Sequence, residues 1–229
     1  MNPTLLAAAC FMVTLCCYYL GKAAYARWPR PWLLPLVTVP ALLILLVVVS
    51  GIPYAVYFAD TRWLVWLLGP ATVAFALPIY HQRELIRRYP LSLTAGVVVG
   101  VLLGLASSWL LARLFHLPDE VARSLLPRSV STPFAILASD YFGGSHQLTA
   151  LFVIVTGVFG MILGEAMLVL LGLRSKLARG ALFGAAAHAA GTVKAREIGA
   201  EEGAVASLVM MFAGILMVLL APWFAQWVI

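Results

Sequence analysis

A series of eight apolar runs, each close to the length needed to cross a lipid bilayer, constrains this chain more than any other feature. A spanning helix needs about 20 largely apolar residues. Of the 229 residues, 63% are hydrophobic and only 10% are charged, whereas soluble domains carry about a quarter charged residues. The sequence therefore predicts an all-α integral membrane protein, with no room for a separate soluble catalytic or nucleic-acid-binding domain.

The runs differ in quality, and two of them are too polar for a continuous lipid-facing helix. The predicted segments cover residues 4–26, 32–51, 62–81, 91–115, 121–142, 148–172, 177–198 and 203–228. The fifth contains two arginines, two prolines and an aspartate, and the seventh contains a histidine and several charged residues among small ones. Both are predicted to be re-entrant or broken helices, which leaves about six spanning helices.

Three basic clusters set the predicted orientation, because Lys and Arg in short loops stay on the cytoplasmic side. The clusters are Lys22, Arg27 and Arg30; Arg83, Arg87 and Arg88; and Arg174, Lys176 and Arg179. All three fall on one side if the fifth segment enters the membrane and returns to the side it came from. With a re-entrant seventh segment as well, both termini are predicted to lie outside.

A short internal similarity suggests duplicated halves of about 1–115 and 116–229 within a single membrane domain. At one offset, Pro70–Ala74 aligns with Pro127–Ser131, Leu91–Ser92 with Leu148–Thr149, and Gly100 with Gly157. Chance resemblance between stretches rich in Ala, Val and Gly is the alternative. In duplicated transporters, paired Pro/Gly interruptions mark the binding site. The predicted helix breaks here are Pro70, Pro78, Pro127 and Pro133.

The fifth segment carries the main candidate site. A helix that begins inside the membrane exposes unpaired N–H groups and a positive dipole end, which suit a small anion. Arg128 can hold a carboxylate through two parallel hydrogen bonds, and the hydroxyls of Ser129, Ser131 and Thr132 can hold its remaining oxygens. These residues predict a monocarboxylate site. The alternative is that Arg128 extends to the interface and the hydroxyls bond to the helix backbone.

The seventh and third segments are predicted to complete this pocket. His188, Gly191 and Thr192 lie in a stretch of small residues that permits close approach of a helix or ligand, and Thr72 is predicted to line the pocket. Intramembrane ionisable residues are functional candidates, so His188 is interpreted as a substrate or proton contact, with a structural hydrogen-bond role as the alternative.

Glu165 is the only charged side chain between His146 and Arg174. It is a candidate for coupling proton movement to transport, or for pairing with Arg128 or His188. A neutral, protonated carboxyl with a local partner is the alternative.

Other function classes have no support in the sequence. It lacks G-x-S-x-G, H-E-x-x-H and any Cys/His ligand set, so no enzyme activity, cofactor or metal is predicted. The net charge of +6 comes from short clusters between apolar runs and does not follow one face, so no nucleic-acid partner is predicted.

Four motifs, in order along residues 5–228, resemble the LrgB/CidB family. Leu126–Ile136 resembles the signature P-K-S-V-T-T-P-I-A, with Arg128 in place of the usual Lys. The other three are Leu68–Ala74 with Pro78–Tyr80, similar to L-G-P-A-T-V-A-L-A-x-P-L-Y; Ala178–Gly180 with Ala187–Thr192, similar to A-R-G and A-S-H-x-x-G-T; and Glu202–Ala204 with Ser207–Leu208, similar to E-G-A-x-S-S-L. Arg128 keeps the charge of Lys but presents a planar fork.

The resemblance implies a bacterial inner-membrane protein, with both termini periplasmic under the charge-based topology, that works with a small LrgA/CidA-like partner. Two functions come with the family: carriage of small carboxylates such as pyruvate, glycolate or glycerate, and holin/antiholin-like control of murein hydrolase export and cell lysis. The residues of the fifth segment favour the carrier, and the pore or lysis regulator is the alternative. Glycines spaced by four, Gly96, Gly100 and Gly104, permit close helix packing within one subunit or in a homo-oligomer.

Overall fold

The computed structural model describes residues 3–28, 30, 33–74 and 76–228. Within these ranges the regular structure is helical and no strand occurs. The helices are α1 (Pro3–Arg27), α2 (Pro35–Ser50), α3 (Tyr54–Trp66), α4 (Leu68–Ala74), α5 (Ala76–His81), α6 (Arg83–Arg88), α7 (Pro90–Leu114), α8 (Asp119–Leu125), α9 (Thr132–Phe142), α10 (His146–Leu170), α11 (Lys176–Ile198) and α12 (Ala200–Val228). The all-α prediction is confirmed.

Five stretches of the described chain are long and apolar enough to cross a membrane. They are Thr4–Arg27, Tyr54–His81, Pro90–Leu114, His146–Leu170 and Ala200–Gln226. The remaining predicted span, residues 32–51, corresponds to α2, whose 16 residues extend about 24 Å against a hydrocarbon core of about 30 Å. The chain is therefore a multi-pass membrane protein, and a sixth crossing by α2 stays a prediction.

The chain divides into two compact units, one up to Ala71 and one from Thr72 onward. In the first unit α1 packs against α2 and α3. Gly21 lets α2 approach closely, because a Cβ there would lie 2.7 Å from Val39 Cγ2. The Thr14 and Tyr57 hydroxyls, 3.2 Å apart, connect α1 to α3. The predicted repeat halves, divided near residue 115, stay a prediction.

In the second unit, α7, the first half of α11 and the first half of α12 run in the same direction. A Cβ on Gly96 would meet Ala181, and one on Gly100 would meet Ala185. Gly180 and Gly184, one helical turn apart, lie against successive turns of α12 in the same way. Small residues at these crossings allow the helix backbones to approach closely. The Lys176 end of α11 therefore lies at the Pro90 end of α7.

The seventh segment is a helical hairpin. At His188 the backbone leaves helical geometry, with φ 37° and ψ −119°, and the chain turns back on itself. Gly191, after the turn, lies against the carbonyl of Phe183 before it. We call residues 176–187 the entering limb and residues 189–198 the returning limb. Lys176 Nζ lies 3.0 Å from Glu201 Oε2, so both ends of the hairpin meet at the Pro90 end of the unit.

The fifth segment is a second hairpin with the opposite orientation. Its two ends meet, because the Ser145 backbone N–H donates to Ser124 Oγ at 2.8 Å and Thr149 Oγ1 donates to the Ser124 carbonyl at 3.1 Å. Between them the chain runs through consecutive turns over residues 125–130 and returns as α9. Since α10 starts at His146 and runs antiparallel to the entering limb, these ends lie at the Leu114 end of α7.

Both interruptions predicted for the fifth and seventh segments are therefore present, and each has the geometry of a re-entrant element. The prolines fit the helix boundaries: Pro127 lies in the break, Pro133 is in the first turn of α9, and Pro70 and Pro78 are third residues of α4 and α5. Two of the three basic clusters, before α7 and before α11, lie at one end of the second unit, as the positive-inside rule requires.

Labelling of single cysteines tests the seventh-segment hairpin. In a variant lacking Cys10, Cys16 and Cys17, we expect Ser175→Cys and Ala200→Cys to react with a membrane-impermeant maleimide from the same side, because both ends of the hairpin meet there. Ser145→Cys is expected to react from the other side. Labelling of positions 175 and 200 from opposite sides would contradict a re-entrant element.

Gly191→Ala tests the packing of the hairpin limbs. A Cβ at this position collides with the Phe183 carbonyl, so we expect a loss of about 1–3 kcal/mol of stability, measured as a lower thermal midpoint of the detergent-solubilised protein. Gly69→Ala is the matched control, because nothing lies within 4 Å of its Cβ position. An equal midpoint for the two variants would contradict the described hairpin packing.

Candidate functional site

The tip of the fifth-segment hairpin presents Arg128 to two long helices. Turns closed by Arg128 N–H to the Leu125 carbonyl and Val130 N–H to the Pro127 carbonyl shape the tip. Ser131, in extended conformation, precedes α9, and Pro133 occupies the first turn. Proline suits that position because the first N–H groups of a helix have no partner within it. The break thus delivers the arginine from a loop and not from a helix face.

The Arg128 guanidinium is held by three hydroxyl groups. Its Nε donates to Ser108 Oγ at 3.0 Å, Nη2 to Ser107 Oγ at 3.0 Å, and Nη1 to Thr156 Oγ1 at 3.3 Å. In the described part of the chain no carboxylate lies within 4.0 Å of it. Neutral groups therefore hold the guanidinium in one orientation, and they do not neutralise its positive charge.

Arg128 also lies deep along the helices that hold it. Thr156 is ten residues after His146, the first residue of α10, which corresponds to about 15 Å along the helix. Ser108 is six residues before Leu114, the last residue of α7, which corresponds to about 9 Å along that helix. The groups that hold Arg128 therefore lie within the lengths of α7 and α10 and not beyond their ends.

Two hydroxyls beside Arg128 lack hydrogen bonds. Ser129 and Ser131 are 6% and 3% exposed, and neither Oγ has a partner among the described residues. Ser129 packs where a side chain on Gly104 of α7 would otherwise be. Thr132 is the first residue of α9. A buried hydroxyl without a partner costs about 1–3 kcal/mol, which a bound ligand would recover.

The tip of the seventh-segment hairpin meets the same turn of α10 from the other direction. His188 is 3% exposed, and its ring packs on Gly157, where a Cβ would lie 2.7 Å from Cε1. Its Nε2 has no partner among the described residues. Because Thr156 and Gly157 are consecutive, the two hairpin tips lie side by side on α10.

The backbone of His188 is strained. A φ of 37° with ψ of −119° lies in a region that residues with a side chain rarely adopt. Such outliers cost about 1–3 kcal/mol and are retained where the surrounding structure imposes them. Here the strain accompanies the reversal of the chain at the hairpin tip.

Three residues predicted for the pocket have other surroundings. Gly191 packs between the hairpin limbs, and Thr192 Oγ1 donates to the Ala189 carbonyl at 2.8 Å. Thr72 is half-buried in α4 and does not line the cavity described next. The structure therefore brings Arg128, Ser129 and His188 to the hairpin tips. It does not place Gly191, Thr192 or Thr72 at the guanidinium.

A cavity of about 570 Å³ connects Arg128 to the Pro90 end of the second unit. Its walls are mainly apolar and come from α7 and the entering limb, while Ser107, Arg128, Ser129 and Thr156 are polar groups in its lining. Leu173 and Ala178, near the start of α11, line its other part. The guanidinium thus lies on a cavity that leads toward one end of the unit.

Glu165 pairs with neither Arg128 nor His188. Its Oε1 lies 2.8 Å from Lys194 Nζ on the returning limb, and Lys194 also contacts Glu197 Oε2 at 3.1 Å. Glu165 is 59% exposed at its side chain. The partners considered from the sequence are corrected accordingly: the pair joins α10 to the returning limb, away from the hairpin tips.

Sequence analysis missed the three hydroxyls that hold Arg128. Ser107 and Ser108 lie on α7 and Thr156 on α10, each within an otherwise apolar run. The sequence offered one indication of them. Ser107 and Ser108 are consecutive and lie inside a predicted spanning helix, where a pair of polar residues usually faces the protein interior.

Comparison with known proteins places the chain in one family. The model of the LrgB-like family matches residues 14–227. YwbG of Bacillus subtilis, described as an uncharacterized protein, is 38% identical over 89% of this chain and 91% of its own length. The holin-like protein CidB of Staphylococcus epidermidis is 32% identical over 97% of each chain, and that of Staphylococcus aureus is equally similar. No solved structure matches. By this match, the chain belongs to the LrgB-like family.

Proposed function

We propose that this protein is a membrane carrier of small monocarboxylates whose binding site lies at the two hairpin tips. The observation that supports the proposal most is an arginine held between two membrane-length helices, about 9–15 Å from their nearer ends, which has hydroxyl partners and no carboxylate partner among the described residues. An unneutralised charge at that depth is costly. A bound carboxylate would neutralise it and would form charge-assisted hydrogen bonds, which are the strong ones.

Counting donors supports a single carboxylate. A guanidinium has five N–H groups, and the three hydroxyls of Ser107, Ser108 and Thr156 take one from each nitrogen. One N–H on Nη1 and one on Nη2 remain, which matches the two oxygens of one carboxylate. Because no second cation accompanies Arg128 in the cavity lining, the proposed substrate carries one carboxylate.

The neighbouring polar groups of the protein suit a second polar functional group on the substrate. Ser129 Oγ lines the cavity at Arg128 and has no partner among the described residues, so a keto or hydroxyl group next to the carboxylate would find a donor or acceptor there. Ser131 Oγ and His188 Nε2, likewise buried without a described partner, lie outside the cavity lining and would join the site only when the hairpin tips move. Pyruvate-, glycolate- and glycerate-like acids have this arrangement. These three residues and Arg128 are the proposed binding residues, with Thr132, Gly191, Thr192 and Thr72 as outer candidates from the sequence.

The hairpins supply a means of alternating access. In transporters with interrupted helices, one part of the protein moves against another around a central site. The Glu165–Lys194 pair joins the returning limb to α10, so movement of the hairpin would change the environment of this carboxylate. Glu165 therefore remains the candidate for coupling.

Two kinds of assembly are proposed as well. The partner is a small LrgA/CidA-like membrane protein, and the chain itself is a candidate to form a homo-oligomer.

A holin-like role is the second candidate, and the relatives favour it. The Staphylococcus relatives, which match over 97% of this chain, are named holin-like proteins. A holin-like protein would form a pore or regulate one, and the hairpin tips would then be its gate or lining. The two candidates differ in a measurable way, because only a carrier saturates and selects among solutes.

Arg128→Ala tests the carboxylate site. We expect uptake of labelled pyruvate or glycolate into proteoliposomes to fall at least about tenfold, because loss of one charged hydrogen-bonding group costs more than about 1.4 kcal/mol. The protein is expected to remain in the membrane. Arg88→Ala is the control, since Arg88 is exposed and stacks on Tyr89. Unchanged uptake in Arg128→Ala would overturn the site.

The same vesicles separate the two functions. For the carrier, uptake saturates, discriminates between D- and L-lactate, and is competed by unlabelled acid. For the holin-like protein, unrelated neutral solutes leak in proportion to their size. Measurements with and without the small partner show whether that protein is needed for either activity.

Thr156→Val tests how the guanidinium is held. This variant is nearly isosteric and removes the Nη1 acceptor, so Arg128 loses its fixed orientation. We expect KM for uptake to rise about threefold to tenfold, because the less well oriented guanidinium would bind the carboxylate about 1 kcal/mol more weakly, while Vmax per folded protein changes little. Thr156→Ser should restore KM, because it keeps the hydroxyl. An unchanged KM in Thr156→Val would remove Thr156 from the site.

A further inference from the structure

Two adjoining cavities of opposite character lie at the Leu114 end of α7, apart from the cavity at Arg128. One, of about 390 Å³, is lined by charged side chains, and the other, of about 360 Å³, is lined by apolar ones. They share Trp109 and Leu126. A polar recess that continues into an apolar groove matches a ligand with a charged head and a hydrocarbon tail.

The polar recess is positively charged. Arg113, His116 and Arg123 line it together with a single acid, Asp119. Within the described ranges, no carboxylate lies within 4.0 Å of either arginine. Arg113 stacks over Trp109, with 5.6 Å from Cζ to the ring centroid, and both residues line the recess. The recess therefore suits an anionic group.

The end of α7 presents His116 to this recess in an unusual conformation. Its φ is 47°, and the following Leu117 N–H bonds back to the Ala112 carbonyl at 3.0 Å, the pattern of a helix end that glycine usually occupies. A residue with a side chain pays a conformational cost there. The structure thus holds an imidazole where glycine would be less strained.

The apolar groove runs from the recess toward the middle of the membrane. Besides Trp109 and Leu126, its lining comprises Leu102, Leu105, Ala106, Phe142 and Phe224. On α7 the groove extends from Trp109 back to Leu102, seven residues or about 10 Å along the helix. Together with the recess, which reaches Arg113, the two cavities cover about 16 Å of α7, close to the thickness of one leaflet of the hydrocarbon core, about 15 Å.

We propose that these two cavities form a binding site for an anionic phospholipid. The phosphate lies between Arg113 and Arg123, the acyl chain follows the groove past Ala106, and Trp109 marks the boundary between headgroup and chain, where its ring is favoured. Basic pockets between membrane helices bind anionic headgroups. The site is separate from Arg128 and does not depend on the proposed transport function.

Lipid binding to the detergent-solubilised full chain tests the proposal by native mass spectrometry. We expect phosphatidylglycerol to bind more tightly than phosphatidylcholine. The double variant Arg113→Gln, Arg123→Gln should weaken phosphatidylglycerol binding about tenfold or more, because each basic residue near an anionic headgroup contributes about 1 kcal/mol. Ala106→Phe, which fills the groove, should weaken binding of both lipids.

Matched controls and a headgroup probe make the result decisive. Arg88→Gln alters an arginine that also stacks on its neighbouring aromatic ring, and Ala166→Phe enlarges an exposed alanine on α10; neither should change lipid binding. Arg113→Gln alone, at an exposed position, keeps the test valid if the Arg123 variant fails to fold. Unchanged phosphatidylglycerol binding in Arg113→Gln and Ala106→Phe would overturn the site. A third outcome would identify a soluble anion as the ligand and would also overturn the lipid site. In that outcome inorganic phosphate binds only when both arginines are present, and Ala106→Phe does not change lipid binding.

Discussion

Inside a lipid bilayer every backbone N–H and C=O needs a partner from the protein, and this requirement shapes the second unit of the molecule. A helix that breaks at residues 126–131 or at His188 leaves such groups open. The chain satisfies the requirement by folding each break into a hairpin and packing the hairpin between α7, α10 and α12. The irregular backbone is thereby surrounded by protein, and the tips meet on one turn of α10.

Close packing of small residues makes this arrangement possible. Gly160 and Gly164 of α10 lie against Ala187 and Phe183 of the entering limb, and Gly157 lies against His188 at the tip. A side chain at any of these glycines would push the hairpin away. Lipid tails are as apolar as the helices, so association depends on backbone approach and close contact more than on the hydrophobic effect. The glycine spacing therefore determines how near His188 comes to Thr156 and Arg128.

Most of the helix bounds and the two interruptions follow from the sequence because hydropathy, proline and basic clusters are local signals. The third run is the exception, because it begins at Tyr54 and not at residue 62 and is divided into α3, α4 and α5. The parity of the basic clusters even predicts that the fifth segment returns to the side it came from, and the polar composition of the seventh segment predicts the same for that segment. The partners of Arg128 do not follow, since Ser107, Ser108 and Thr156 are distant in sequence and lie on unremarkable apolar helices. The local partner of Thr192 does not follow either: its place in a motif suggests a pocket, and in the structure its hydroxyl donates to the Ala189 carbonyl.

The position of Arg128 has an electrical consequence. Under the proposed function, the empty site carries a positive charge within the membrane field, whereas a bound monocarboxylate makes it neutral. A full crossing of one charge through 100 mV corresponds to about 2.3 kcal/mol, and a smaller movement of the site gives a proportionate share. The membrane potential would then act on the return of the unloaded protein and leave the loaded step nearly unaffected.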